Sequence, residues 1–187
     1  MDQDYRIRCA TEEDVPAIHR LIILLAEYEK EPRSIVKLTE AELLRDGFGE
    51  EKYFHCFIVE QTPSAQRART EVDVNGVTLP QGELIGYAFY FYTYSTWEGR
   101  TLYIEDIFVR EGFRGKGIGS RLMKECAKQA VTKDCRRMNW QVLDWNTKAI
   151  DFYKRMGAKT LKEWLSIRMD RYALKAFTEA DDHVGPA

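Results

Sequence analysis

One stretch limits what this 187-residue chain can fold into more than any other: Arg114-Gly115-Lys116-Gly117-Ile118-Gly119-Ser120. It follows the apolar run Ile107-Phe108-Val109. It opens a helical pattern in which Ile118, Leu122, Cys126 and Ala130 recur every four residues. Glycines between a strand and a helix let backbone N–H groups turn toward one point, because no Cβ obstructs them. The helix N-terminus adds partial positive charge, so the turn suits a phosphate or pyrophosphate. Arg114 and Lys116 add formal charge. A Walker A motif requires Lys after the last glycine of GxxxxG, whereas Ile118 follows Gly117. A dinucleotide fingerprint requires G-x-G-x-x-G, whereas the spacing here is G-x-G-x-G. ATP and NAD therefore fit poorly. The alternative at this point is a tight turn with no ligand.

The rest of the chain supplies the frame. Tyr5–Cys9 reads as a strand, and Thr11 as the cap of a helix over Glu12–Lys30 with Val15, Ile18, Ile22, Leu25 and Ala26 on one face. Thr39 with Glu42 makes a capping box for a short helix ending near Asp46-Gly47. Tyr53–Glu60 reads as a strand. Residues 61–82 form a polar surface excursion with a small hairpin around Asn75-Gly76. Leu84–Tyr94 and Arg100–Val109 are the arms of a hairpin turning at Ser95–Gly99. A helix over Ile118–Thr132, a strand over Met138–Leu143, a helix over Thr147–Met156 stopped by Gly157, and a last strand over Leu161–Asp170 follow. Residues 178–187 read as a mobile tail. The order predicts one α/β (α+β) domain over 1–187, core about 5–172, with a mixed sheet packed by helices.

Composition narrows the partners. The formal charge is −2, which gives no whole-chain argument for nucleic acid or an anionic membrane. Residues 27–51, however, hold eight acids against four bases, and residues 110–137 hold nine bases against three acids. MDQDYRIRCA carries no secretory pattern, and no apolar run approaches the roughly 20 residues of a membrane span. Cys9, Cys56, Cys126 and Cys135 form no CxxC pair and no cluster with the three histidines. No metal site is expected, and the thiols suit a reducing cytosol.

Glu105 and Asp106 interrupt the apolar run Leu102–Val109. Neighbouring strand residues point to opposite faces, so at least one carboxylate faces packed structure or a cleft. That demands a partner or a function. It is either a structural salt bridge or a carboxylate that meets an amine. An alkylammonium has a pKa near 10 and must lose a proton before its nitrogen can attack. Tyr153 is either helix packing or a phenol acid.

Two motifs in order resemble the GNAT N-acetyltransferase superfamily: Arg114-x-x-Gly117-x-Gly119 after a strand, and Asn146-x-x-Ala149-x-x-Phe152-Tyr153-x-x-x-Gly157. Ala26-Glu27-Tyr28-Glu29, Asp46-Gly47-Phe48-Gly49, Ser95-Thr96-Trp97, Tyr103-Ile104-Glu105-Asp106 and Leu143-Asp144-Trp145-Asn146 resemble its diamine (spermidine/spermine) acetyltransferase group. The Ser-Thr-Trp and Leu-Asp-Trp-Asn versions are most similar to the thialysine acetyltransferase branch. The likeness runs from Tyr5 to Tyr172. It departs at the longer 61–82 excursion and at Lys162-Glu163-Trp164.

The resemblance implies the GNAT fold, with a mixed, mostly antiparallel sheet. It implies acetyl transfer from acetyl-CoA to a primary amine of a small cation, thialysine or a related amino acid or a polyamine, by direct attack in a ternary complex. It makes Glu105 the base, directly or through water, and Tyr153 the acid toward the CoA sulfur. Acetyl-CoA would be held by Ile107, Phe108, Val109, Arg114, Gly115, Lys116, Gly117, Ile118, Gly119, Ser120, Asn146, Thr147, Lys148, Ala149 and Tyr153. The amine would meet Tyr28, Glu29, Trp97, Glu105, Asp106, Asn139, Trp140 and Gln141. Arg110, Arg121, Lys124 and Lys128 stand for the adenosine end. A cytoplasmic homodimer is also implied. Competing expectations are a protein lysine or N-terminal acetyltransferase and a CoA-binding module without catalysis.

Overall fold

A computed structural model describes residues 5–62 and 83–179. The strands are β1 Tyr5–Cys9, β2 His55–Gln61, β3 Leu84–Ser95, β4 Gly99–Val109 and β5 Met138–Asn139. The helices are α1 Val15–Tyr28, α2 Glu40–Phe48, α3 Ile118–Thr132, α4 Thr147–Arg155 and α5 Arg171–Glu179. The chain divides into two units, Met1–Gln141 and Val142–Ala187. The sheet lies in the first, in the order β1-β2-β3-β4-β5. Its pairings are antiparallel up to β4, and β5 joins β4 in parallel. Among the described residues no helix is long and apolar enough to cross a membrane.

Alternation along β3 gives the sheet two packed faces. Tyr87 and Phe89 share a core with Val15, Ile18 and Leu21 of α1, Leu43 of α2, and Phe108 of β4. Ala88 and Tyr90 point the other way, where Phe57 stacks on Tyr90 at 5.4 Å. The apolar stripe of α3, Ile118, Leu122, Cys126 and Ala130, is buried as its four-residue spacing requires. Each fully buried Leu or Ile in these layers contributes about 1.5–3 kcal/mol.

The helix starts follow from capping. Thr39 and Glu42 form the expected box, with the Glu42 N–H donating to Thr39 Oγ1 at 3.2 Å. The predicted first helix begins with a 3-10 turn, Glu12–Asp14, before α1 starts with Pro16 in its first turn. Asp14 accepts from the Thr11 N–H at 2.8 Å and from both Arg8 terminal nitrogens at 2.7 and 2.9 Å. Burial pushes the Asp14 carboxyl up, but the Arg8 and Thr11 hydrogen bonds and the Arg8 charge outweigh it and hold it below its ordinary value.

Two expectations change. The strand predicted over Met138–Leu143 is paired only at Met138 and Asn139, against Leu102 and Tyr103. That ladder stops two residues before β4 takes in an extra residue. The segment Leu161–Asp170, predicted as a strand, forms no strand among the described residues, and Leu165 and Ile167 stay exposed. A strand needs a partner's backbone, whereas a helix satisfies its own. Asp170 caps α5 by accepting from the Ala173 N–H at 2.8 Å. The hairpin predicted around Asn75-Gly76 and residues 180–187 of the predicted tail lie outside the described residues.

Two outcomes test this account. Asp14→Ala should lower stability by about 2–3 kcal/mol in urea unfolding, because Arg8 loses a charge-assisted partner. In the unaltered protein that contribution is present above the ordinary aspartate pKa of about 3.9 and is lost as pH falls toward the depressed folded value. A Gly86→Ala Cβ would lie 2.7 Å from the Phe108 carbonyl oxygen. It should lower the melting temperature, with an overpacking cost of about 1–3 kcal/mol.

Candidate active site

The first unit holds the acids. In the β3–β4 register Phe89 faces Asp106 and Tyr90 faces Ile104, so Glu105 is the extra residue of a β-bulge. The bulge changes which way the next side chain points. Ile104 shares the Tyr90 face, whereas Asp106, two residues on, shares the Phe89 face with α1. Glu105 remains exposed, and Asp106 is largely enclosed. Burial, reinforced by the charges of Glu105 and Glu29, pushes the Asp106 carboxyl up to about 6, against a lowering contribution from the Tyr87 hydroxyl. The Tyr87 hydroxyl donates to Asp106 Oδ2 at 3.4 Å. Glu29, at the C-cap of α1, is raised by its own burial and by Glu31. Three carboxylates therefore sit round one stretch of β4.

The same strand continues into the glycine turn. The Arg110 N–H donates to Ile85 O at 2.9 Å, so by strand alternation Phe108 also directs its N–H at β3. Ile107 and Val109 direct theirs to the other edge, where the β5 ladder ends at Tyr103. A 3-10 turn, Glu111–Phe113, then buries Phe113. Gly115 at φ 77 and Gly117 at φ 79 adopt the left-handed region, where a side chain is strained. Nothing lies within 4 Å of a Cβ built on either glycine. Gly117 is the N-cap of the 15-residue α3. Open backbone amides at a helix start, with Lys116 beside them, fit the pyrophosphate of acetyl-CoA.

The Arg114 side chain has a different job from its backbone. Its Nε donates to Val109 O at 2.7 Å, and its guanidinium lies 4.2 Å from the Tyr28 ring centroid and 5.5 Å from that of Phe108. That stack ties the turn to the end of α1. Three of the four cations expected at an adenosine end have protein partners too: Arg110 pairs with Glu83 at 2.8 Å, Arg121 lies over Tyr5, and Lys128 pairs with Glu125.

Among the predicted amine residues, Tyr28, Glu29, Glu105 and Asp106 belong to neighbouring parts of the first unit. Asn139 pairs with Tyr103, two residues before the bulge, and Trp140 and Gln141 follow it. Trp97 is not brought to the acids. It sits exposed in the β3–β4 turn, whose N–H groups at Trp97 and Glu98 donate to Ser95 Oγ at 3.2 Å. Six residues of strand from Gly99 to Glu105 put it roughly 20 Å away along β4.

The second unit holds the later motif. Asn146 caps α4, its Oδ1 accepting from the Ala149 N–H at 3.3 Å. Asn146, Ala149 and Tyr153 follow at helical spacing and share one face. Thr147 and Lys148 fill the first turn, and Gly157 at φ 89 ends the helix. Tyr87 and the Arg114–Tyr28 stack had no sequence signal of their own. Both depend on which face of β4 and which end of α1 come together.

The acetyltransferase (GNAT) family profile matches residues 37–158. The thialysine N-epsilon-acetyltransferase of Sus scrofa is 43% identical, over 90% of this chain and 94% of that protein. The L-ornithine N5-acetyltransferase of Arabidopsis thaliana is 34% identical, over 91% of this chain and 86% of that protein. In structure, an integron cassette protein of V. cholerae aligns with a TM-score of 0.69 and 22% identity, over 95% of this chain and 99% of that one. That last likeness bears on the fold, and the mixed five-stranded sheet with its helices agrees with it. The glycine turn, the profile and relatives this similar along nine-tenths of the sequence together place the chain in the acetyltransferase (GNAT) family.

Proposed function

We propose that this protein transfers the acetyl group of acetyl-CoA to the terminal primary amine of a small cationic amino acid, thialysine or a related one. One observation supports this reading most: Glu29, Glu105 and Asp106 gather round a stretch of β4 that runs directly into the glycine turn. Burying one carboxylate beside two others is unfavourable unless a cation arrives to pair with them. A few residues on, open amides and positive charge suit an anion. The arrangement matches a reaction between an ammonium and an anionic acyl donor. Thialysine and ornithine, named in the relatives, are both amino acids that end in a primary amine.

In the proposed reaction the amine first gives up a proton, and Glu105, exposed on the bulge, takes it directly or through water. The nitrogen lone pair then attacks the thioester carbonyl. The C–N bond forms, the C–S bond breaks, and the leaving thiolate receives a proton from Tyr153. Free-edge N–H groups of Ile107 and Val109 would receive the carbonyl oxygen as negative charge develops. No acetyl-enzyme is involved. The reaction would run in the cytosol, in keeping with four free cysteines, and in a homodimer.

Incubating the purified protein with acetyl-CoA and thialysine, lysine, ornithine, spermidine, diamines and peptides tests the reading. The terminal amines of the amino acids should release CoA fastest. Preference for peptides favours a protein acetyltransferase, and binding of acetyl-CoA with no CoA release from any amine leaves only a binding module. Sedimentation reads the dimer. Tyr153→Phe should lower kcat by about 100-fold or more while acetyl-CoA still binds. Glu105→Gln should lower kcat at neutral pH by a similar factor, with activity recovering toward pH 10 as the amine deprotonates unaided. An unmoved pH profile removes Glu105 as the base.

A further inference from the structure

Tyr87 has no role in the reaction proposed above, yet its placement is unusual for a core aromatic. It is 0% exposed, in the layer formed by Phe89, Phe108 and α1. A buried phenol without a partner costs about 1–3 kcal/mol, which phenylalanine at the same place would avoid. Among the described residues, the one hydrogen-bond partner of its hydroxyl is Asp106 Oδ2, and that is also the one hydrogen bond of the Asp106 side chain. Tyr87 pairs with Phe108 across the sheet, so Asp106 lies on its diagonal, within reach of a long side chain. The contact exists because the Glu105 bulge turns Asp106 onto the α1 face.

We propose that Tyr87 is a positioning residue for amine recognition: its buried hydroxyl holds Asp106 Oδ2 and so presents the other carboxylate oxygen, charged, to the cationic substrate. This rests on the amine reading above. At 3.4 Å the bond is long for a hydroxyl donor. It strengthens when Asp106 carries charge, since charge-assisted bonds are shorter and stronger. The groups facing the Asp106–Tyr87 pair are Glu29 of α1, Cys56 of β2, and Glu105 of β4. Tyr103 also lies within electrostatic reach of Asp106. None supplies positive charge. The Tyr87 hydroxyl is thus the group on this face that favours ionised Asp106 before the substrate arrives.

The test is a pair of measurements. In protein labelled with 13C at the aspartate carboxyls, Asp106, identified by its loss in Asp106→Asn, should titrate near pH 6. In Tyr87→Phe its midpoint should rise by about one pH unit. In steady-state assays Tyr87→Phe should raise KM for the amine three- to tenfold near pH 6.5. The effect should fade as pH rises past both midpoints, with kcat and KM for acetyl-CoA within twofold. In an Asp106→Asn background Tyr87→Phe should change KM by less than twofold. An unmoved Asp106 midpoint, or an equal KM effect in that background, overturns the proposal. Should Tyr87→Phe fail to fold, 3-fluorotyrosine incorporation strengthens the donor and must lower the Asp106 midpoint. An unchanged or raised midpoint again overturns it. Absence of CoA release with every amine sinks the amine reading and the recognition role with it, whereas the titration decides the Tyr87–Asp106 contact independently.

Discussion

The pairing of β3 with β4 carries one residue too many, and much of the candidate site depends on that mismatch. A regular ladder would leave Ile104 and Asp106 on the same face. With Glu105 inserted, Ile104 stays in the layer beneath α3, while Asp106 turns into the layer beneath α1. The same insertion leaves Glu105 outside the pairing and exposed. The parallel β5 ladder also stops short of it, at Tyr103, so among the described residues the N–H groups of Ile107 and Val109 face an edge that this ladder does not reach. Acid, enclosed carboxylate and outward-facing amides thus follow from one local irregularity in the β3–β4 ladder, distinct from the register shift between Val59 and Glu60 in the β2–β3 ladder.

That irregularity is packed on both sides. On one side, the Tyr87, Phe89 and Phe108 rings pack edge to face and tilted, at 5.3 and 6.2 Å between centroids. On the other, Leu102 and Ile104 are buried, like Leu122 and Cys126 of α3. Farther along, the Arg114 guanidinium over Tyr28 fastens the glycine turn to α1. Within the turn, Gly115 and Gly117 adopt positive φ values that strain any other residue. The acidic end of α1 and the basic start of α3 are therefore joined through one arginine. The two opposite charge segments visible in the sequence, 27–51 and 110–137, become neighbours in this way.

Legibility differed from element to element for physical reasons. The capping box at Thr39 and Glu42, the four-residue stripe of α3 and the aromatic hairpin are local or strictly periodic, and each appears where it was expected. Leu161–Asp170 has a good strand pattern, but a strand also needs a neighbouring backbone in register, and the segment forms no strand among the described residues. Asp170 could have been read as a cap for α5, since Asp before a helical run is a start signal. The Arg114 side chain stacks on Tyr28, a contact between residues 86 positions apart that no local pattern announces.

By itself, the sequence determined which residues could do chemistry and which local conformations they would take. A glycine that needs positive φ, a cap and an apolar stripe are properties of a few neighbouring residues. Tertiary structure decided which side chains meet. Whether Asp106 faces α1 or α3 depends on a one-residue shift in register, to which hydrophobic alternation on either side of the bulge is indifferent. Whether its carboxyl is enclosed depends on Glu29 and Tyr87, which come from an α-helix and a strand remote in the chain. Burial and charge act through space, so the raised pKa of Asp106 and its hydroxyl partner emerge only once the sheet is assembled.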